Sequence, residues 1–100
     1  MHLAQDKVTQ LIYASISVLN LDRLQRKTAP IELSEGTILL GRQSKLDSLD
    51  LVTFFVDLEQ RIKSEFNATI SLTDEKAMFQ KESPFETIRS LTAYICDREV

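Results

Sequence analysis

Glycine and proline are scarce in this 100-residue chain, two of each, and tryptophan is absent. A fold of many short strands needs frequent turn residues, so the shortage argues against an all-β sandwich or barrel and leaves a helical domain as the expectation. The single cysteine, Cys96, can close no internal disulfide and cannot build a thiolate zinc site. It is read as a packing residue in a protein of a reducing compartment, the cytoplasm. The only histidine is His2, so no His, Cys or carboxylate constellation has a spacing suited to catalysis or metal binding. No apolar run approaches the roughly 20 residues of a membrane helix, and the N-terminal residues lack the basic stretch, apolar run and small-residue cleavage site of a secretion signal. Twelve basic against fifteen acidic side chains, a net charge of −3, supply no basic face for nucleic acid.

What the chain does have is 43% apolar and 27% charged residues, the balance of an ordinary globular protein, and a length that suits one domain over 1–100. Val8, Leu11, Ile12, Ile16 and Leu19 recur at helical spacing and predict a helix over about 3–24. Arg23, Arg26 and Lys27 gather at its end, where cations oppose the helix dipole. The pattern then lapses from Thr28 to Asp47, punctuated by Pro30, Gly36 and Gly41. A connection of that length in a compact domain is uncommon and usually functional when ordered. Leu51, Phe55, Leu58, Ile62 and Phe66 restart the stripe and predict a second helix over about 48–66, closed by Asn67. Thr73 as a cap before Asp74–Phe79 suggests a short third helix. Ser83-Pro84-Phe85-Glu86 reads as a capping serine, a proline at the first helical position and a capping-box glutamate, which predicts a fourth helix over about 84–97 with the stripe Phe85, Ile88, Leu91 and Ile95. The expected fold is an all-α four-helix bundle with a long loop between helices one and two.

Helix two begins Asp47-Ser48-Leu49-Asp50. Taken alone, Ser48 or Asp47 reads as an N-cap, the commonest reason for either residue at a helix start. Asp-Ser-Leu at this place, after a long loop with Thr37, Leu39 and Gly41 and ahead of the helix Leu51 to Phe66, resembles the acyl carrier protein family, and the likeness of helix order covers nearly the whole chain. The resemblance implies that Ser48 carries 4′-phosphopantetheine, with Asp47 and Leu49 beside it as motif residues and acyl or aminoacyl cargo held as a thioester. Serine is a poor nucleophile without an adjacent base, so a separate phosphopantetheinyl transferase using coenzyme A and Mg²⁺ is implied. A loading ligase and downstream transferases are implied as further partners, and Asp47 and Asp50 as groups met by the transferase. The chain itself is expected to be a monomer and not an enzyme.

With the stripe turned inward, Leu49, Asp50, Thr53, Val56, Asp57, Gln60 and Ser64 point the other way, and the first six form the expected docking face for partner enzymes. Carriers of fatty acid synthesis usually place glutamates five and twelve residues after the serine; Thr53 and Gln60 stand there instead. Leu46 also replaces the glycine often found two residues before it. These departures favour a carrier dedicated to one specialised pathway. Phe54, Phe55, Ile62 and Ile70 are expected to fill the space between helices, more than to line an acyl cavity. Charge divides at the motif: residues 1–46 hold six basic and four acidic side chains, residues 47–100 six and eleven. The competing reading is an unmodified helical adaptor that binds a protein through the same exposed face.

Overall fold

The computed structural model describes residues 5–40, 44–67, 70, 72 and 85–96. Among them stand three helices, α1 (Gln5–Gln25), α2 (Ser48–Phe66) and α3 (Ile88–Cys96). There is no strand among the described residues, only an isolated antiparallel bridge between Ile38 and Thr87. The all-helical class is as the sequence suggests. The short helix expected at 73–79 lies outside the described residues.

α1 turns Val8, Ile12, Ser15, Ile16, Leu19 and Arg23 inward, the i, i+3, i+4 stripe of a one-sided helix. Its end is built by the backbone. Thr28 N–H donates to Arg23 O at 2.8 Å and Lys27 N–H to Leu24 O at 3.0 Å, while Lys27 sits at φ 59°. This pair of bonds around a left-handed residue satisfies carbonyls that would otherwise be orphaned. α2 is bounded as its sequence suggests, with Asn67 in the left-handed region at φ 54° and its N–H on Lys63 O. Its stripe is wider than the expected one: Phe54 is fully buried alongside Phe55, Leu58 and Ile62, whereas Leu51 and Phe66 are only half-buried.

The start of α3 differs from the expectation. Phe85 and Glu86 precede the helix, which opens at Ile88. The capping pair is Thr87 and Ser90: Ser90 N–H donates to Thr87 Oγ1 at 3.1 Å and Thr87 N–H to Ser90 Oγ at 3.0 Å. The cause is tertiary. Glu86 O accepts Leu39 N–H at 2.6 Å, and Ile88 and Arg89 donate to Thr37 O and Glu35 O, so the segment before Ile88 is held out of the helix, against the loop. Ser83 and Pro84 lie outside the described residues. Phe85 nevertheless joins the core as its spacing predicts, 5.4 Å from the Phe55 ring, which is itself 5.1 Å from Phe54.

The connection from α1 to α2 packs by a few anchors. Ile31, Leu39 and Leu46 are buried. Asn20 on α1 grips Ile31 at both backbone groups, donating to its carbonyl at 3.0 Å and accepting its N–H at 2.7 Å. A loop that gives its backbone polar groups such partners can lie on a core without the desolvation cost of unpaired ones. Among the described residues, one buried side-chain polar atom lacks this provision. Ser15 Oγ is buried without a hydrogen-bond partner, and an unsatisfied buried hydroxyl costs on the order of 1–3 kcal/mol. Ser15→Ala is therefore expected to raise the unfolding free energy by about 1 kcal/mol, seen as a higher urea midpoint at unchanged slope. A lower midpoint would show that the hydroxyl is satisfied in solution.

Candidate functional site

The head of α2 is organised by Asp47 and Asp50. Asp47 is the N-cap, and its Oδ1 accepts Asp50 N–H at 2.8 Å. Asp50 returns the bond, its Oδ2 accepting Asp47 N–H at 3.2 Å. This reciprocal box is legible in the Asp-x-x-Asp spacing, with aspartate in the place usually held by glutamate. Because Asp47 caps the helix, Ser48 does not. Ser48 is exposed at the first helical position, and its hydroxyl has no hydrogen-bond partner among the described residues.

Asp50 does more than close the cap. It is 1% exposed, and its carboxylate takes Arg23 Nη1 at 2.5 Å and Arg26 Nη2 at 2.6 Å. Burial by itself raises the Asp50 pKa, but the Arg26 hydrogen bond, the Asp47 N–H and the two cationic charges outweigh it and hold the group below its ordinary value. Arg26 is raised in turn, chiefly by its bond to Asp50 and despite desolvation. Arg23 is also buried, and it binds the loop at two places, Nε on Ala29 O at 2.8 Å and Nη1 on Lys45 O at 3.4 Å. One guanidinium thus ties both ends of the loop to the start of α2.

This overturns one expected docking residue. Asp50 faces α1, not solvent, because two arginines at the end of α1 supply the charge that lets a carboxylate go inside. The arginines read as dipole partners have this larger role. The remaining members of the expected face stay on the surface to different degrees. Leu49 is 61% and Val56 41% exposed, Gln60 and Ser64 are exposed, Thr53 is half-buried, and Asp57 is half-buried against Arg61, its carboxylate 2.6 Å from Nε. Val52, 54% exposed, belongs to the surface and was absent from the expected face. Its spacing of three from Leu49 and four to Val56 was the available signal.

Phe54, Phe55, Ile62 and Ile70 are all buried, so at these positions the space between helices is filled. A cleft of about 210 Å³ opens elsewhere, on the loop, between Ile31, Glu32, Gly36, Thr37, Ile38 and Lys45. Among the described residues no cluster of His, Cys, Asp and Glu could hold a metal ion, and no helix is long and apolar enough to cross a membrane.

Removing one member of a buried ion pair strands the others, at a cost of about 3–5 kcal/mol. Asp50→Asn is expected to lose that much at neutral pH in urea unfolding. The folded pKa of Asp50 lies below its unfolded value, so its contribution is complete above about pH 4 and is lost as pH falls through the folded pKa. The gap between wild type and variant should accordingly narrow as pH falls below about 4; a gap independent of pH would be incompatible with an ionised Asp50.

Compared with known proteins, the chain matches no family model, no curated protein and no solved structure.

Proposed function

We propose that this chain is a carrier protein holding acyl or aminoacyl intermediates as thioesters on a 4′-phosphopantetheine arm at Ser48. The observation that carries the reading is the division of labour at the head of α2: Asp47 takes the cap, which leaves the adjacent serine exposed and without a structural task. Capping explains one of the two residues and not the other. The setting suits a phosphodiester. A helix start carries the positive end of the dipole, and the Ser48 and Leu49 N–H groups are spare. Arg26 lies 3.9 Å from the Asp47 carboxylate and offsets the negative charge that the motif itself brings.

In this reading the fold is the four-helix bundle of carriers, and the chain works as a cytoplasmic monomer. Forming the phosphoester bond at Ser48 Oγ requires removal of its proton. The Ser48 hydroxyl has no hydrogen-bonded base among the described residues, so the proton passes to a group of the Mg²⁺-dependent phosphopantetheinyl transferase; Ser48 Oγ bonds to the phosphorus of coenzyme A that bears the pantetheine arm, the pyrophosphate bond to the nucleotide breaks, and adenosine 3′,5′-bisphosphate leaves. A ligase then loads the thiol and downstream transferases unload it. The arm supplies the reactive thiol; this chain supplies a fixed attachment point on a capped helix. The rival reading is an unmodified adaptor, and Leu49, Val52 and Val56 exposed along α2 are the feature that suits it.

Intact mass separates the two. After incubation with coenzyme A, Mg²⁺ and a broad-specificity transferase, the wild type is expected to gain one phosphopantetheine mass and Ser48→Ala none. Equal gain by both proteins would move the attachment elsewhere; no gain by folded wild type would favour the adaptor.

A further inference from the structure

α1 has a second apolar stripe. The inward one is Val8, Ile12, Ser15, Ile16, Leu19 and Arg23. Leu11, Ala14, Val18 and Leu21, spaced 3, 4 and 3, lie within about 80° of the helix circumference and are centred about 130° away from it. Leu11 and Ala14 are half-buried, whereas Val18 is 39% and Leu21 65% exposed. Lys7 and Gln25, both exposed, continue the line four residues beyond each end. An alternation of fours and threes over 7–25 is the spacing of a coiled-coil seam. The line also maps onto itself. Reversing its direction about the midpoint between Ala14 and Val18 exchanges Leu11 with Leu21, Ala14 with Val18 and Lys7 with Gln25, which is what a two-fold interface between antiparallel copies of one helix requires.

We infer that α1 pairs antiparallel with α1 of a second copy of this chain through Leu11, Ala14, Val18 and Leu21. The pairing does not depend on what Ser48 carries, and it adds a paired state at high concentration to the monomer of the carrier reading. Ala14 and Val18 are small, so the two helix axes can approach to the close end of the usual 8–10 Å range, with Leu11 meeting Leu21 on either side of that centre. Charge selects the antiparallel sense. Lys7 then lies about 4.5 Å along the axis from Asp22 of the second copy, at both ends of the seam, and both side chains are part-exposed. Parallel copies would set Lys7 on Lys7, Asp22 on Asp22, and like ends of the helix dipoles together. Area sets the strength. The seam offers on the order of 500 Å² per copy, short of the roughly 800 Å² per partner of a stable interface. The dimer is therefore reversible, with single chains dominant at tens of micromolar.

Sedimentation velocity of the full chain, from about 10 μM to about 1 mM, is the test. The wild type is expected to pass from monomer toward dimer across that range, with a dissociation constant of about 300 μM. Leu21→Glu changes an exposed side chain, and circular dichroism establishes that the variant is folded. It is expected to raise the constant more than about tenfold, because each pair would bury two unpartnered carboxylates. Lys7→Glu and Asp22→Lys are each expected to weaken pairing about fivefold, and the two together to return it to within about twofold of wild type. Val52→Glu, on the exposed face of α2, is expected to leave pairing unchanged. The inference is overturned by wild type that stays monomeric to about 1 mM, by a dimer that Val52→Glu dissolves and Leu21→Glu spares, or by a double exchange that pairs no better than either single one.

Discussion

A buried guanidinium and a buried carboxylate, Arg23 and Asp50, hold the end of α1, the loop and the head of α2 together. Each charge would be costly inside without the other. Together they satisfy most of their hydrogen-bonding capacity on backbone that has to be fixed anyway: Ala29 O and Lys45 O on the loop, and Asp47 N–H at the head of α2. The pair therefore sets three things at once, the angle at which the loop leaves α1, the place where it returns, and the residue at which α2 begins. Replacing it with apolar side chains of similar volume could match the packing. It would leave those backbone groups without partners.

The helices were legible because their signals are local. Asp47 before a stripe of period 3.6 and Asn67 after it bound α2 where its sequence suggests, and the alternation of buried and exposed turns on α1 follows from the same spacing. Two things resisted. Ser83-Pro84-Phe85-Glu86 is a good local start signal, but the chain from Glu86 to Arg89 spends its backbone groups on Glu35, Thr37, Leu39 and Leu40 of the loop, and that pairing moves the cap to Thr87. Lys27, a bulky residue at positive φ, carries no compositional mark of a helix end either. Its role as the left-handed closing residue appears only in the bonds of its neighbours Leu24, Arg23 and Thr28.

At the candidate site, the position of Ser48 was legible and the direction of Asp50 was not. A helical wheel assigns faces from one element at a time, and on that basis an aspartate opposite an apolar stripe belongs in water. Whether it goes inside depends on what a second element brings to it. Here the last turn of α1 and the residue just past its end bring two arginines, Arg23 and Arg26, the first of them 3% exposed. The sequence contained both halves of this cluster, basic residues ending one helix and an acidic residue starting the next. Nothing local required them to meet across a long connection. The same limit hid Val52, which was displaced from the surface face when that face was centred too near Asp50.

Internal pairing of charge also changes what an acidic composition means. Residues 47–100 hold eleven acidic against six basic side chains, a balance that at long range still biases approach toward positive surfaces. At contact range the field is different, because Asp50, Asp57 and Glu65 of α2 face Arg23, Arg26, Arg61 and Lys7, while Glu59 accepts Leu72 N–H. Screening shortens the long-range part to about a Debye length, roughly 8 Å at physiological salt. Apolar contact discriminates by volume, and one methylene is worth about 0.8 kcal/mol. With Asp47 and Asp50 fixing the first turn of α2, Ser48 is held at the surface in one orientation.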